Sequence, residues 1–154
     1  MLPVLPKFVA ITNPGAIVND ASLTTTAIDT QGFDFARIVV YLGASDIAMT
    51  ALAVQESDAS DSGFANVTGL VFGKSTNSAG STSTLPSATD DNGFFAFDVD
   101  LRGRKRYLDL VATCGEGSTG TYICAFAELY RAEKTPITAA EAGCKQILAV
   151  PSYA

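Results

Sequence analysis

Two aspartates, Asp98 and Asp100, lie two positions apart in the segment FFAFDVDLR, a spacing that places both carboxylates on one face of a strand. Paired carboxylates could serve acid/base catalysis, as in a small hydrolase that also uses Glu128, or they could bind a hard cation. The alternative is a solvated face with cross-strand ion pairs. We favour ion pairing, because four counter-charges follow at the adjacent turn: Arg102, Arg104, Lys105 and Arg106.

Other chemical groups are missing from the sequence. It contains no histidine, which removes Ser-His-Asp and Cys-His nucleophilic sites and the commonest zinc ligand. No serine stands three residues before a lysine, and Cys114, Cys124 and Cys144 form no Cys-x-x-Cys pair. A disulfide between Cys114 and Cys124 is geometrically possible across a hairpin, but we favour two small buried apolar residues.

Three further motifs resemble functional sites without meeting their requirements. GKST at 73–76 is similar to the end of a phosphate-binding loop, but Gly69 is one residue too close and no helix pattern follows. DSG at 61–63 resembles half of an aspartic-protease dyad but follows polar residues. The acidic groups at 90–93 and at 58/61 lack the spacing of a calcium loop. We therefore predict no catalytic residue, cofactor, metal site or small-molecule substrate.

Charge and composition restrict the partners. The chain has 154 residues, 47% of them hydrophobic and 17% charged, which indicates one ordered globular domain. A net charge of −6 argues against nucleic-acid binding. No window is apolar for the ~18 residues of a membrane span. The N-terminus, with Pro3 and Pro6, lacks the pattern of a secretion signal. The tip RGRKR, 102–106, is either an anion-binding surface or a solvated hairpin turn.

The elements that would carry these residues are strands. Phe95, Phe97, Val99 and Leu101 alternate with polar residues, which predicts a half-buried strand. We predict a β-meander through 94–133, a hairpin of 35–42 with 47–56, strands at 22–28 and 64–73, and a polar loop, functional or disordered, at 74–93. A Thr138-x-x-Glu141 capping box predicts at most one short C-terminal helix. The predicted fold is an all-β antiparallel sandwich or jelly roll of about seven to eight strands, with an N-terminal arm (1–15), a sandwich (16–134) and a C-terminal helix and tail (135–154).

One strand breaks the expected alternation. All residues from Ile38 to Leu42 are apolar, whereas a half-buried strand carries a polar residue at every second position. A second sheet or another protein must therefore cover each face.

The phrases IDTQGFDFARIVVYLGASD, VQESD and DDNGFFAFDVDLRGRKRYLDLVAT resemble capsid decoration (cement) proteins of tailed bacteriophages, over about Ile28–Ala132. The resemblance implies a jelly-roll or sandwich fold and a non-catalytic protein on the outside of the virion head. Such a protein is often a homotrimer, bridges neighbouring major capsid proteins and is assembled in the bacterial host cytoplasm. Minor head or tail proteins carry similar phrases.

In that role, weak contacts on several neighbours would combine. The arm and the tail would reach adjacent subunits while one sheet edge packs at the trimer axis. The expected contact residues are Leu2, Val4, Leu5, Phe8, Arg102, Arg104, Lys105, Arg106, Val150 and Tyr153. A carbohydrate-binding module is the alternative, although the chain lacks the tryptophan common in such sites.

Overall fold

The computed structural model describes residues 6–23, 25–133 and 138–148. Its elements are eight strands: β1 (Lys7–Thr12), β2 (Ile28–Asp29), β3 (Phe33–Ser45), β4 (Ala51–Ser57), β5 (Ala65–Val71), β6 (Phe94–Asp100), β7 (Tyr107–Thr113) and β8 (Thr121–Ala132). The first sheet has the order β1-β8-β3-β6, and the second sheet has the order β2-β7-β4-β5. Every pairing is antiparallel. The predicted all-β antiparallel sandwich is confirmed.

The core lies between the two sheets, as the period-two alternation predicts. Phe97 and Val99 on β6 and Leu108 and Leu110 on β7 are buried, while Asp98 on β6 is exposed. The largest fully buried side chains come from both sheets and are Ile11, Ile28, Ile38, Leu42, Leu52, Leu108, Leu110, Leu129, Val40, Val54, Val67 and Thr121. Among the described residues, no buried side-chain nitrogen or oxygen lacks a hydrogen-bond partner.

The predicted strand pairings are mostly wrong. β3 belongs to the first sheet and β4 to the second, so the predicted hairpin of 35–42 with 47–56 does not form. The meander is also wrong, because β6 and β8 flank β3 in the first sheet while β7 lies in the second. The short turns carry the chain across the ~10 Å between the sheets instead of back along one sheet. The inward faces are the same in both arrangements, which is why the pattern could not separate them.

Three other predicted segments take a form that the sequence analysis did not specify. The predicted strand at 22–28 is reduced to a bridge from Ser22 to Thr113 and to β2. Part of the predicted arm forms β1. The Thr138–Glu141 capping box makes both of its hydrogen bonds, of 3.0 and 3.2 Å, but around consecutive turns and not a helix. No helix in the described part of the chain is long and apolar enough to cross a membrane.

The polar 74–93 loop is folded by its own side chains. The Asn77 Oδ1 accepts hydrogen bonds from the backbone N–H groups of Ala79 and Ser81, at 3.0 and 3.1 Å. The Ser83 hydroxyl, which is nearly buried, donates to the Ser75 carbonyl at 2.7 Å. The abundance of serine and asparagine therefore encodes local turns.

The cysteines are free thiols. Cys114 is fully buried in the core, as predicted, and burial raises the pKa of its thiol. Cys124 lies half-buried on β8, which belongs to the other sheet from β7. The hairpin that would have placed Cys114 opposite Cys124 is absent, so that predicted juxtaposition is wrong.

Candidate interaction surface

The outer surface of the first sheet carries the apolar residues that break alternation in the sequence. Val39 and Tyr41 on the central strand β3 point away from the core. The register places Val39 between Ala96 and Phe126, and Tyr41 between Phe94 and Cys124. Side chains from neighbouring strands therefore join into one apolar surface.

Aromatic rings dominate this surface. We call Phe8, Tyr41, Phe94, Tyr122 and Phe126 the aromatic face. Phe94 is 70% exposed, Tyr122 50% and Phe8 37%. The rings of Tyr41 and Phe94 stack with centroids 4.5 Å apart, and those of Phe8 and Phe126 lie 6.2 Å apart. The second sheet covers the inner face of β3, whereas no described strand covers the outer face, where Pro14 and Gly15 lie beside Tyr41 and Tyr122.

The second sheet has a different outer surface. Gln55 on β4 donates a 3.0 Å hydrogen bond from its Nε2 to the Oδ1 of Asn66 on β5. The outward positions of β7 are Tyr107, Asp109, Val111 and Thr113. This surface mixes polar and apolar side chains, and among the described residues no two aromatic rings contact each other on it. The exposed aromatic cluster is thus specific to one side of the sandwich.

A row of charged side chains borders the aromatic face. Arg37 on β3 lies between Asp98 on β6 and Glu128 on β8. Its guanidinium donates two hydrogen bonds to Asp98, of 2.7 and 2.9 Å. The Tyr130 hydroxyl donates to Glu128, a contact that raises the pKa of Tyr130. A groove of about 430 Å³ runs along this row beside Phe35.

The electrostatics of the paired aspartates do not suit catalysis. The hydrogen bond from Arg37 lowers the pKa of Asp98, and hydrogen bonds from Arg102 lower the pKa of Asp100 to about 2. A carboxylate pair that divides acid and base roles needs one pKa raised instead. Glu128, the third residue of the hydrolase hypothesis, accepts the Tyr130 hydrogen bond. The geometry supports ion pairing at Asp98 and Asp100, and a hydrogen bond from a tyrosine at Glu128.

Each cation of the 102–106 tip also has an acidic partner within the chain. Nitrogen–oxygen distances are 2.5 Å for Arg102–Asp100, 3.5 Å for Arg104–Glu56, 3.7 Å for Lys105–Asp58 and 2.7 Å for Arg106–Asp29. The Arg106 hydrogen bond lowers the pKa of Asp29. These exposed pairs add little stability, but they neutralise the charge that an anion-binding tip would need.

The remaining motifs shape loops. The Ser75 hydroxyl of GKST accepts a 3.0 Å hydrogen bond from the Val71 backbone. Asp90 accepts two from Ser87, both of 2.7 Å, and Asp91 accepts one of 2.8 Å from the Ser45 backbone. No cluster of three or more metal-ligand side chains occurs among the described residues.

The predicted contact residues fall in three places. Phe8 lies on the aromatic face and the four cations lie at the paired tip. The others fall outside the described residues, namely Leu2, Val4, Leu5, Val150 and Tyr153. Sequence reasoning missed Tyr41, Phe94 and Tyr122 as surface residues. The sequence did contain a signal for them. Each stands next to a residue that strand alternation places in the core, so its own side chain must point to the outer face.

The carboxylates predict a distinctive pH profile. Hydrogen bonding lowers the pKa of Asp29, Asp46, Asp90, Asp98 and Asp100. A lowered folded-state pKa adds stability above the unfolded value, near 3.8, and that stability is lost as the pH falls towards about 2. Without histidine, nothing comparable titrates between about pH 5 and 8. We expect a flat urea-unfolding midpoint over that range and a decline below about pH 4.

Asp100→Asn is the informative variant for this profile. In this variant the urea-unfolding midpoint should fall less below about pH 4 and should stay constant between about pH 5 and 8. A midpoint that changes between about pH 5 and 8, or stays constant down to about pH 2, contradicts the prediction.

Comparison of the chain with protein-family models, curated proteins and solved structures found no match.

Proposed function

We propose that the protein is a non-catalytic structural component of a phage virion, which binds the coat-protein lattice on the outside of the head and stabilises it. The aromatic face is the observation that carries this proposal. Contiguous exposed apolar surface on a folded domain marks an interaction site, and tyrosine and phenylalanine are enriched where proteins bind one another. The resemblance to decoration proteins supplies the identity of the partner, the major capsid protein.

The surroundings of the aromatic face also favour a protein partner. In the charged row beside it, Arg37 pairs with Asp98 and Glu128 accepts the Tyr130 hydrogen bond, so these charged groups carry partners of their own into an interface. The face spans all four strands of a continuous sheet, which holds it in one geometry before binding. Many copies on a lattice would then stabilise the head through repeated contacts.

The experiment uses heads stripped of the protein. Add-back of the wild-type chain should restore resistance to heat and osmotic shock. The double variant Phe94→Ser/Tyr122→Ser removes two exposed rings, and we expect it to bind at least about 100-fold more weakly, because interface aromatics are typical hot spots. Occupancy on heads and the temperature of head disruption are the measurements.

Tyr107→Ser is the matched control, because it removes a ring from the outer surface of the second sheet. It should bind like the wild type. Equal binding by the double variant excludes the aromatic face as the docking site. If stripped heads are as robust as complete ones, the proposed function itself is wrong.

One observation favours a second candidate, a carbohydrate-binding module of a phage particle. The stacked pair of Tyr41 and exposed Phe94 forms a platform of the kind on which sugar rings pack. Specific hits on a glycan array that disappear in Phe94→Ser would support it, and an array without hits would dispose of it.

A further inference from the structure

The outer edge of β6 carries unused backbone hydrogen-bonding groups. The Leu42 N–H donates to the Gly93 carbonyl at 3.0 Å, and the Leu101 N–H donates to the Asp34 carbonyl at 2.9 Å. These bonds fix the phase of the β3–β6 ladder, so odd-numbered residues of β6 bond to β3. The N–H and C=O groups of Phe94, Ala96, Asp98 and Asp100 therefore point away from β3, and none has a backbone partner among the described residues.

The other three sheet edges are protected. At the β1 edge, the Phe8 N–H donates to the Ala142 carbonyl and the Ile11 carbonyl accepts from the Thr26 N–H, both at 2.9 Å. β2 has two residues. The β4–β5 ladder is irregular, with a register shift between Ala53 and Gln55. Short, covered or bulged edges are the usual defences against strand addition, and within the described residues β6 has none of them.

The surface beside β6 is accessible and mixed in polarity, because apolar side chains line one part of it and polar loop residues line another, namely Ser75, Thr76, Asn77, Ser78 and Ser83. A groove of about 530 Å³ separates the edges of β5 and β6. Leu70, Phe72, Phe95 and Phe97 line it, and the Phe72 ring makes edge contacts with Phe95 and Phe97 at centroid distances of 5.7 and 5.0 Å. Asp98 is the charged residue of the lining and is already paired with Arg37.

We propose that β6 pairs antiparallel with β6 of a second copy of this chain, across a two-fold axis at Phe97. Centring the axis on Phe97 pairs the whole strand. Phe94 then faces Asp100 of the second copy, and Ala96 faces its Asp98. On the groove side, Phe95 lies opposite Val99, and Phe97 lies opposite Phe97 of the second copy. These are register positions and not ring contacts, because Phe97 and Val99 are buried in their own core. The four outward-directed residues of each strand exchange N–H···O=C bonds in pairs.

The charges select this register. An axis one residue further along would place Asp98 directly opposite Asp98 of the second copy, and like charges directly opposed destabilise a strand pair. An axis one residue earlier leaves Asp100 and its neighbour Val99 unpaired. The register centred on Phe97 places no aspartate directly opposite another aspartate. It also pairs every outward N–H and C=O group of β6.

The resulting sheet has a functional consequence. A two-fold axis perpendicular to the joined sheets places both aromatic faces on the same side, which doubles the docking surface. This consequence rests on the proposed function, but the pairing itself does not. The contact is isologous and yields a dimer, in contrast to the trimer that the resemblance implies.

Amide hydrogen exchange measured against protein concentration tests the pairing. With increasing concentration, the amides of Phe94, Ala96, Asp98 and Asp100 should become protected, while those of Phe95, Phe97 and Val99, already bonded to β3, should change little. Light scattering on the same samples should show a monomer–dimer equilibrium. Free exchange at the four edge amides at all concentrations, or oligomers that protect other residues instead, overturns the proposal.

Ala96→Pro tests the same contact by substitution. Proline removes the outward N–H without touching the ladder to β3, and edge positions tolerate it. We expect the dimer dissociation constant to rise about tenfold or more, because one donor is lost from each strand. Ala96→Ser keeps the N–H and should dimerise like the wild type. Equal dimerisation by Ala96→Pro overturns the proposal, and the exchange experiment on the wild type decides the question if that variant does not fold.

Discussion

Leu129→Ala is expected to lower the free energy of unfolding by about 2–5 kcal/mol. Leu129 is fully buried on β8, between β1 and β3 in the first sheet, and faces the core. Truncation removes most of its apolar contacts and leaves a cavity that surrounding strands cannot close, since their ladders fix their spacing. Urea unfolding at one protein concentration should show a lower midpoint and an unchanged slope.

Phe94→Ala is the control for this prediction. It removes a larger side chain from the same sheet, but one that is 70% exposed on the aromatic face. Its effect on stability should stay within about 0.5 kcal/mol, while its effect on binding should be large. If Phe94→Ala destabilises the protein as much as Leu129→Ala does, the aromatic face contributes to folding stability and is not a free binding surface.

Gly120→Ala is the second variant with a large expected effect. Gly120 has φ +91°, and a Cβ there would lie 2.5 Å from the Val18 carbonyl oxygen and 2.9 Å from the Asn19 Cβ. Val18 pairs with Thr121 through two backbone hydrogen bonds, of 2.8 and 2.9 Å, and Asp46 binds the Gly120 N–H at 3.0 Å. The backbone therefore cannot move aside without breaking these bonds.

Gly80→Ala separates the two causes. Gly80 has a similar φ of +82°, but nothing lies within 4 Å of a Cβ there. It should lose about 1–2 kcal/mol from the left-handed conformation alone. Gly120→Ala should lose about 1–3 kcal/mol more, because overpacking is added. Equal losses in urea unfolding would show that the Val18–Thr121 contact is looser than the structure indicates.

Sequence-based prediction succeeded for properties that depend only on the backbone geometry within one strand. The alternation of Phe97 and Val99 with Asp98 determines which side of β6 is buried, because side chains in a strand point to opposite faces whatever strand lies beside it. The same rule identified Leu108 and Leu110 on β7. The sandwich class follows, since amphipathic strands without helix periodicity must bury their faces against a second sheet.

The partners of those strands were decided by tertiary structure. The turn between β6 and β7 fits a hairpin or a crossing between sheets, and only packing of the whole core selects the crossing. The ion pair of Arg106 with Asp29 likewise joins residues far apart in sequence. No local pattern encodes such a pairing.

The aromatic face, too, depends partly on the sequence pattern and partly on the tertiary fold. Consecutive apolar residues from Ile38 to Leu42 already indicate that both faces of β3 need cover. Which residues share the uncovered face depends on register: Phe94 and Cys124 are brought beside Tyr41 by β6 and β8, strands more than 50 positions away in the sequence. By itself the sequence determined the burial pattern of each strand, because that depends on a side-chain period of two. The sheet order, the open β6 edge and the aromatic face were decided by the fold, because long-range pairing is a property of the assembled core.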